Sequence, residues 1–384
     1  MEAQLQTPAP VVGASLLRAA LSRQTHLPER LSSGSAAIDD QALGGGFRYG
    51  EITAIAGAHG TGKTTIAFHA IASHLLSSPH GEVAFIDTSN TFSPVRLRDV
   101  LALRLRVQRQ RTTFHQSGYV YTKQPADPEP MTEELAEEAT AMLDRVKLMR
   151  VFDVAGLVEA VSEITESCEP VAEVSTETGV LRPGVVADSQ DDLSENAGSE
   201  ELDTGERAER LPLQDHGTVP AQSGKVGVVI VDTIADIFGP LMAKSQVQGQ
   251  GLLTSFMRSL RHLTTRQQIC TIISNAVVGL VLSKNQLYQQ KPEENASIFY
   301  SIAGKPALGK SFTYLIDTSI MLSSLPKTAE DAGSEYGDNI QGRKPQYCGI
   351  LEVLHDKNGI RAEDWVAYEM IDSLKLRSIA DGRS

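Results

Sequence analysis

The sequence predicts an α/β fold with a mainly parallel central sheet flanked by helices, and two observations carry this expectation. First, short apolar runs alternate along the chain with longer segments of helical composition, as in proteins whose strands are joined by crossover helices. Second, Val226–Val231 and Cys270–Asn275 are almost continuously apolar, which is typical of parallel strands covered on both faces. We therefore expect helices on both sides of the sheet.

In the N-terminal half, strands and helices alternate after a weak start. Ala14–Ser22 has the composition of a short helix, and turn signals then surround the polar segment Ser35–Gln41. Short apolar runs predict strands at Glu51–Ala56, Val83–Ile86 and Val146–Val151. Helices are expected at Thr64–Leu76, Leu97–Gln110, Thr132–Leu143 and Val154–Ile164.

In the C-terminal half, order is expected to resume at Val226–Val231. A helix at Leu252–Leu263 follows, then the strand Cys270–Asn275 and a long polar loop over Val277–Gly304. Apolar residues cluster again in three later segments, which we expect to be strands: Ser319–Leu322, Gly349–Leu354 and Trp365–Met370.

Length and composition allow a substantial core. The chain has 384 residues, 41% of them hydrophobic and 22% charged, which excludes a collagen, a coiled coil and a fully disordered chain. The longest apolar run, Cys270–Leu282, has 13 residues and contains polar ones, so a membrane span is not expected. The N-terminus has no basic segment followed by an apolar one, so secretion is not expected either. The three cysteines are far apart and fit neither a disulfide framework nor a CxxC metal site.

An acidic segment interrupts the α/β pattern. Thr165–Gly224 holds fourteen acidic residues, three basic ones and no aromatic one, so it carries −11 of the net charge of −13. A segment of this composition cannot bury enough apolar surface to offset the entropy lost on ordering, and we expect a disordered insertion. The rest of the chain is close to neutral, so the overall acidity does not argue against a nucleic-acid partner.

The run from Gly57 to Thr64 satisfies the G-x-x-x-x-G-K-[ST] pattern of a phosphate-binding loop, with a predicted strand before it and a predicted helix after it. Glycines let backbone N–H groups surround phosphate oxygens, and the helix N-terminus adds partial positive charge. We expect Lys63 to reach the β- and γ-phosphates of ATP and the Thr64 hydroxyl to bind Mg²⁺. The predicted nucleotide-binding residues are Gly57, Ala58, His59, Gly60, Thr61, Gly62, Lys63, Thr64 and Thr65.

A second metal ligand is expected where another buried strand ends. Asp232 directly follows the apolar run Val228–Val231. In phosphate-loop proteins, a carboxylate at this place binds the magnesium of the nucleotide. Asp232 and Lys63 are therefore the residues predicted to act in catalysis, and Thr233 is a candidate companion hydroxyl. Taken alone, an aspartate after an apolar run is more often a strand-end cap.

The residue that activates the attacking water is harder to assign. Asp87–Asn90 closes the second strand of the core, where many ATPases with this loop have a glutamate, and the corresponding residue here is Ser89. A hydroxyl positions water but is a poor base at neutral pH, so slow hydrolysis is expected. Asn275 ends the next buried strand and is either a sensor of the γ-phosphate or a turn residue.

Two basic segments are candidates for contact with DNA. Six arginines lie within the sixteen residues Arg96–Arg111, where they either contact phosphates or form a solvated helix face. In the second segment, lysines are interleaved with aromatic residues, as in a mobile site for single strands or an ordinary flexible loop. Its residues are Lys284, Tyr288, Lys291, Phe299, Tyr300, Lys305 and Lys310.

Several runs resemble the RecA-type recombinases. Between Leu31 and Thr53, the residues Ser32-Ser33-Gly34, Ile38-Asp39, Gly44-Gly45-Gly46 and Gly50-Glu51-Ile52 resemble the start of the RecA-type core. Val83–Leu97 is similar to the second-strand segment of that family. The similarity covers about residues 31–164 and 225–370. The runs that resemble the eukaryotic recombinase paralogues, most closely the D paralogue, are Lys305–Phe312, Thr318–Leu322 and Val146–Val158.

The resemblance implies a RecA-like P-loop NTPase core that binds ATP and Mg²⁺ and acts in homologous recombination DNA repair. It implies a nuclear protein that works in a hetero-complex with other recombinase paralogue subunits. It further implies contact with single-stranded or junction DNA through the loops after Asp232 and Asn275. Because Ser89 and Asn90 stand where a carboxylate is expected, we expect only weak ATP hydrolysis with modest stimulation by DNA. Two residues depart from the family pattern: Ser89 replaces the catalytic glutamate, and Ala276 replaces the glutamine that usually follows the sensor asparagine.

The expected organisation is one RecA-like ATPase core over residues 31–164 and 225–375. A partly flexible segment (residues 1–30) precedes it, the disordered insertion (165–224) divides it, and a flexible tail (376–384) follows. Two other functions stay open on the sequence alone. A P-loop phosphotransferase or signalling ATPase would use the same loop, and a non-catalytic scaffold would bind nucleotide only for stability.

Overall fold

The computed structural model describes residues 30–117, 132–168, 225–279, 297–302, 304–336, 344–372 and 374–379. The predicted helix Ala14–Ser22 lies outside these residues, as does the predicted insertion apart from its first four positions. Lys284, Tyr288 and Lys291 of the second basic segment also lie outside them.

The described elements follow one another in the order expected of a layered α/β protein. The strands are β1 (Arg30–Leu31), β2 (Phe47–Arg48), β3 (Ile52–Gly57), β4 (Glu82–Asp87), β5 (Val146–Arg150), β6 (Val226–Asp232), β7 (Cys270–Asn275), β8 (Val277–Gly279), β9 (Gly304–Pro306), β10 (Thr318–Pro326), β11 (Tyr347–Asp356), β12 (Trp365–Ile371) and β13 (Lys375–Ser378). The helices are α1 (Ala36–Gln41), α2 (Lys63–Ser77), α3 (Pro94–Ser117), α4 (Glu133–Leu143), α5 (Val154–Cys168), α6 (Ile234–Lys244), α7 (Gln246–Gln267), α8 (Lys310–Thr313) and α9 (Ala329–Tyr336).

One mixed sheet forms the centre of the described chain. Its strands lie in the order β13-β12-β11-β10-β3-β7-β6-β4-β5. The six strands from β10 to β5 in this order are parallel, with β3 between β10 and β7. The strands β11, β12 and β13 extend the sheet beyond β10 as antiparallel strands. The predicted α/β architecture with a mainly parallel sheet is confirmed.

Two hydrophobic cores lie on the two faces of the sheet. On one face, α2 and α3 contribute buried side chains such as Phe68 and Leu101. On the other face, α6 and α7 contribute Phe238 and Leu260, among others. Because helices cover both faces, β3 and β7 are buried along their whole length, which explains their nearly continuous apolar sequences.

Most predicted elements of the parallel part form where the sequence places them. The strands β3 to β7 and the helices α2 and α4 begin and end within two residues of the predicted positions. The helix α3 begins three residues earlier than predicted and continues to Ser117. The helix α5 continues to Cys168, so the first four residues of the predicted insertion, 165–168, are helical.

The sequence does not predict α6, and it predicts only the middle of α7. Pro240 lies inside α6, and a proline in a helix removes one hydrogen-bond donor and costs about 3 kcal/mol. The helix forms because Ile234 and Phe238 are buried in the core of this face. Similarly, α1 forms in a polar segment for which the sequence predicts no helix, since Ile38 is fully buried.

The C-terminal part holds more regular structure than predicted. The hairpin β8–β9 forms at the two ends of the segment expected to be a loop. The strand β13 pairs with β12 at the edge of the sheet, so the predicted flexible tail is wrong for residues 376–378. In β13, exposed and half-buried residues alternate, and no apolar run marks the strand in the sequence.

The described helices include none that is long and apolar enough to cross a bilayer. All three cysteines are free thiols, and Cys270 and Cys348 are buried. Burial raises the pKa of the Cys270 thiol, so this side chain behaves as a small apolar residue of the core.

Two buried histidines of α2 contact neighbouring segments. The His69 Nε2 atom lies 2.7 Å from the Leu374 carbonyl oxygen, and the His74 Nδ1 atom lies 2.9 Å from the Tyr49 hydroxyl oxygen. Burial lowers the pKa of each histidine to about 4. Gly227 in β6 faces His74, and a Cβ atom there would lie 2.3 Å from the imidazole ring. The close approach of α2 to β6 therefore requires a glycine at position 227.

We expect Gly227→Ala to lower the free energy of unfolding by about 1–3 kcal/mol, because the added methyl group overlaps the buried His74 ring. Gly251 is the matched control, since it lies in α7 with open space where a Cβ would stand. Gly251→Ala should be neutral or stabilise by up to about 1 kcal/mol. Urea unfolding followed by circular dichroism measures both variants. A Gly227→Ala protein as stable as the wild type would contradict this packing.

Acid should destabilise the fold between about pH 6.5 and about pH 4. In this interval the two α2 histidines take up protons in the unfolded chain but stay neutral in the folded one, because burial lowers their pKa values to about 4. The stability they contribute is therefore complete above the interval and is lost as the pH falls through it, by an amount on the order of a few kcal/mol.

Urea midpoints measured near neutral pH and at two acidic values inside the interval check this expectation. The exposed His80 provides a control, since His80→Gln should leave the profile unchanged. A midpoint that stays constant down to about pH 4 would show that the two buried histidines do not control the acid limit of stability.

Candidate nucleotide-binding site

The phosphate-binding loop predicted from the sequence joins β3 to α2. Gly60 and Gly62 have φ angles of 79° and 100°, in a region that residues with a Cβ atom rarely adopt. The Thr61 hydroxyl donates to the Ala58 carbonyl oxygen at 2.8 Å and closes the turn. The loop therefore ends at the N-terminus of α2, where unpaired N–H groups and the helix dipole favour an anion.

A cavity of about 420 Å³ opens beside this loop, within the size range of small-molecule sites. Its walls include the start of α2 and residues at or just after the carboxyl ends of β4, β6 and β7. Of the predicted nucleotide-binding residues, those that line the cavity are Gly57, Ala58, His59, Gly60, Gly62, Lys63, Thr64 and Thr65. Thr61 is not among the lining residues, and its carbonyl oxygen instead bonds to Tyr368.

Lys63 directs its ammonium group toward its own loop. The Nζ atom donates to the carbonyl oxygens of Gly57 at 2.7 Å and Ala58 at 3.0 Å. Burial lowers the Lys63 pKa, while the negative charges of Asp232 and Asp236 act in the opposite direction. The two carbonyl groups hold the positive charge beside the cavity, where phosphate oxygens can replace them as acceptors.

Thr64 and Asp232 are in direct contact although they lie 168 positions apart in the chain. The Thr64 hydroxyl donates to the Asp232 Oδ2 atom at 2.9 Å. Burial raises the Asp232 pKa, and the Thr64 hydrogen bond and the charge of Lys63 oppose that shift. A hydroxyl and a carboxylate at this distance are hard oxygen ligands of the kind Mg²⁺ takes together with phosphate oxygens and waters.

A buried hydroxyl beside this pair also fits a metal ion. The Thr233 Oγ1 atom is buried without a hydrogen-bond partner among the described residues, and Thr233 lines the cavity. A buried hydroxyl of this kind can form its hydrogen bond with a group that a ligand supplies, such as a magnesium-bound water. The described residues include no group of three or more His, Cys, Asp or Glu side chains that could hold a metal by themselves. The donor set therefore fits Mg²⁺ that arrives with a nucleotide.

Asp87 organises the loop after β4. Its carboxylate accepts hydrogen bonds from the N–H groups of Ser89, Thr91 and Phe92 over 3.1–3.3 Å. The Ser89 hydroxyl lies 3.3 Å from the same carboxylate and 2.6 Å from the Thr91 hydroxyl. Ser89 and Thr91 both line the cavity, so hydroxyl groups stand on the wall where the resemblance to RecA-type recombinases implies a catalytic carboxylate.

The Asn275 side chain is fully buried and bonds to the main chain. Its Nδ2 atom donates to the Ala307 carbonyl oxygen at 3.0 Å, and its Oδ1 atom accepts from the Ala276 N–H at 2.9 Å. These contacts favour the second of the two interpretations of Asn275, a turn residue at the end of β7. Ala276 and Val277, which follow it, line the cavity.

The arginine-rich segment lies in α3, and several of its side chains bond within the chain. Arg104 donates to the Gly34 carbonyl oxygen at 3.0 Å and to the Ser73 hydroxyl at 2.9 Å. Arg109 pairs with Glu138 on α4. These contacts favour a role in packing α3 against its neighbours over contact with DNA phosphates.

The described end of the second basic segment folds over β11 and β12. The buried Glu352 accepts a hydrogen bond from the Ile298 N–H at 2.7 Å. The Phe299 ring contacts the Trp365 ring edge to face, with the ring centroids 5.3 Å apart. Tyr300 is 90% exposed. Phe299 therefore takes part in packing, and Tyr300 presents its ring to the surface.

Two charged residues that line the cavity, Arg96 and Asp236, could not be assigned to this site from the sequence. The Arg96 guanidinium donates to the Thr65 hydroxyl and lies 5.7 Å from the centroid of the Phe68 ring. Asp236 reaches the cavity from the first turn of α6. Neither residue belongs to a recognised pattern: Arg96 is one of six arginines, and Asp236 lies in a helix that the sequence does not predict.

Strand β12 also contributes to the site. The Tyr368 hydroxyl donates to the Thr61 carbonyl oxygen at 2.6 Å, and the Thr65 hydroxyl lies 3.5 Å from the Met370 sulfur. Two strands, β10 and β11, separate β12 from β3 in the sheet, so no local signal in the sequence connects these residues with the phosphate-binding loop.

Residues 13–108 match the family model of the RecA N-terminal domain. The matched range contains β3, the phosphate-binding loop, α2 and β4. This match and the mixed, mostly parallel sheet show an α/β fold of the RecA type, as the resemblance implies.

The chain is similar to proteins named for DNA repair. It is 24% identical over 248 residues to the probable DNA repair protein RAD51 homolog 4 of Dictyostelium discoideum, covering 65% of this chain and 58% of that protein. It is 21% identical over 294 residues to the DNA repair protein RAD51 homolog 4 of Bos taurus, covering 77% and 61%. The chain thus spans about three fifths of the length of these curated relatives. These similarities support the recombinase paralogue family to which the sequence motifs point.

A solved structure entitled "Crystal structure of the RadB recombinase" covers 91% of this chain and 99% of its own, with a TM-score of 0.49 and 15% sequence identity.

Proposed function

We propose that this protein is an ATP-binding recombinase paralogue of the D type that acts as a mediator in homologous recombination DNA repair. The observation that carries the nucleotide part is the cavity in which Lys63 and the Thr64–Asp232 pair meet. The similarity to proteins named RAD51 homolog 4 supports the recombination part. The proposed partners are other recombinase paralogue subunits and DNA, and the proposed location is the nucleus.

The proposed ligand is ATP with Mg²⁺, and different groups of the chain bind its different parts. The loop and the N-terminus of α2 offer N–H groups to the phosphates. Lys63 exchanges its carbonyl acceptors for β- and γ-phosphate oxygens, which adds charge-assisted hydrogen bonds. Thr64 and Asp232 hold Mg²⁺, which when bound neutralises negative charge on the phosphates.

The proposed activity is weak, DNA-stimulated ATP hydrolysis. The attacking water needs a group that orients it and accepts its proton. Ser89 and Thr91 present hydroxyl groups to the cavity, and neither is a base near pH 7. Asp87 lies near, but its carboxylate already accepts several N–H groups of the loop. A neighbouring subunit that completes the site fits a protein built for a hetero-complex.

Single-stranded or junction DNA is the proposed nucleic-acid partner, through the loops after Asp232 and Asn275. The exposed Tyr300 at the described end of the second loop supports this proposal, because an exposed aromatic ring stacks on bases of any sequence. Salt-dependent binding of single-stranded DNA distinguishes this function from that of a P-loop phosphotransferase or signalling ATPase, which does not require it.

A non-catalytic nucleotide-binding scaffold is the second candidate, and the hydroxyl groups of Ser89 and Thr91 favour it. In this case the nucleotide stabilises the fold and is not consumed. A turnover assay with and without DNA separates the two functions, because a scaffold shows no stimulation.

We expect Lys63→Ala to abolish detectable ATP binding while the protein still folds. The variant removes a charged donor, and each hydrogen bond from such a donor contributes about 1.5–3 kcal/mol. In the folded protein the Lys63 amine bonds only to its own loop among the described contacts, so the cores on the two faces should not change. Isothermal titration calorimetry with Mg-ATP measures the affinity.

Lys244→Ala serves as the matched control, because this exposed lysine lies in the last turn of α6 and does not line the cavity. It should bind ATP as the wild type does. Unchanged affinity in the Lys63→Ala variant, with wild-type circular dichroism, would count against a nucleotide site at this loop.

Ser89→Glu should raise the rate of ATP hydrolysis at least about tenfold, because it places a carboxylate on the cavity wall beside the proposed γ-phosphate position. Ser89→Gln is the control, since it has the same size but no proton acceptor of comparable basicity. Phosphate release under saturating Mg-ATP measures both rates. If the two variants hydrolyse ATP equally slowly while binding it normally, position 89 does not face the attacking water.

A further inference from the structure

The phenol of Tyr368 is buried beneath the phosphate-binding loop. The side chain is 1% exposed, and its hydroxyl donates to the Thr61 carbonyl oxygen at 2.6 Å. Burial raises the Tyr368 pKa, so the hydroxyl keeps its proton and stays a donor. The ring lies against Gly349 of β11, where an added Cβ would be 2.5 Å from the ring. Because Gly349 has no side chain, β11 leaves room for the Tyr368 ring at the place from which its hydroxyl reaches the loop.

The hairpin formed by β12 and β13 contacts the loop and α2 at further points. The Thr65 hydroxyl lies 3.5 Å from the Met370 sulfur. The His69 ring, one turn further along α2, bonds to the Leu374 carbonyl oxygen in the turn between the two strands. The first turns of α2 therefore contact a hairpin that is remote from them in the sequence.

The hydroxyl of Tyr368 has a geometric consequence that ring packing alone does not have. A trans peptide unit is planar, and its C=O and N–H groups point in opposite directions. Holding the Thr61 carbonyl toward Tyr368 therefore turns the N–H of Gly62 to the opposite side. Gly62 lines the cavity, and its φ angle of 100° is one that residues with a Cβ atom rarely adopt.

We propose that Tyr368 is a positioning residue for phosphate binding, because its hydroxyl fixes the Thr61–Gly62 peptide so that the Gly62 N–H faces the phosphates. This inference rests on the proposed nucleotide binding and extends it, since it makes the C-terminal hairpin β12–β13 part of the nucleotide site. A phenylalanine keeps the ring and its packing and removes only the bond that orients the peptide.

The test compares Tyr368→Phe with Tyr49→Phe in the full-length protein. Tyr49 is a matched control, because its hydroxyl also bonds to a buried group, the His74 Nδ1 atom at 2.9 Å, but at the other end of α2. Titration calorimetry with Mg-ATP gives the affinity, and thermal unfolding without nucleotide gives the stability. Tyr368→Phe should weaken ATP binding about three- to tenfold, the effect of losing one hydrogen bond. Tyr49→Phe should leave affinity unchanged at a similar thermal midpoint.

Amide hydrogen exchange of residues 58–65 provides a second readout that a purely structural role would not move. With saturating ATP, this segment should exchange faster in Tyr368→Phe than in the wild type and in Tyr49→Phe. An affinity of Tyr368→Phe within twofold of the wild type overturns the proposal, and so does an equal loss in both variants. Absence of ATP binding by the wild type itself would instead overturn the proposed function, and the inference with it.

Discussion

The parallel alignment of β3, β4, β6 and β7 is the constraint on which the rest of this structure depends. Parallel strands end at the same edge of a sheet, so the residues that follow them meet although the sequence separates them. Asp232 ends one of these strands, Thr64 and Ser89 follow two others, and all three residues line one cavity. Burial on both faces holds this arrangement, because helices pack against apolar side chains of the strands on each side of the sheet.

Local signals made part of the fold and site predictable. The phosphate-binding loop is a contiguous pattern between a strand and a helix, and Asp232 directly follows a run of buried aliphatic residues. The helix α6 was not predictable in the same way. Its Pro240 opposes a helix locally, while burial of Ile234 and Phe238 against the sheet favours it. Here tertiary packing outweighs the local preference of the sequence, which is against a helix.

The contribution of the C-terminal strands could not be predicted from the sequence. Tyr368 and Thr61 are 307 positions apart, and two strands lie between β12 and β3 in the sheet. The contact forms because the fold brings a side chain of one strand to a loop that follows another strand of the same sheet. A tyrosine in a strand carries no sign of such a contact. The site therefore unites one segment with a strong sequence signature and another with none.

The course of α5 determines where the long acidic segment joins the core. The helix starts after the carboxyl end of β5 and runs back for 15 residues to Cys168, while β6 begins at Val226. Both attachment points lie at the amino edge of the sheet, and the cavity opens at the opposite edge. Loop-closure entropy grows slowly with length, by about 0.6 kcal/mol per doubling. Changes in the number of residues between Cys168 and Val226 therefore cost little free energy of chain closure, and they start from the edge of the sheet away from the phosphate-binding loop.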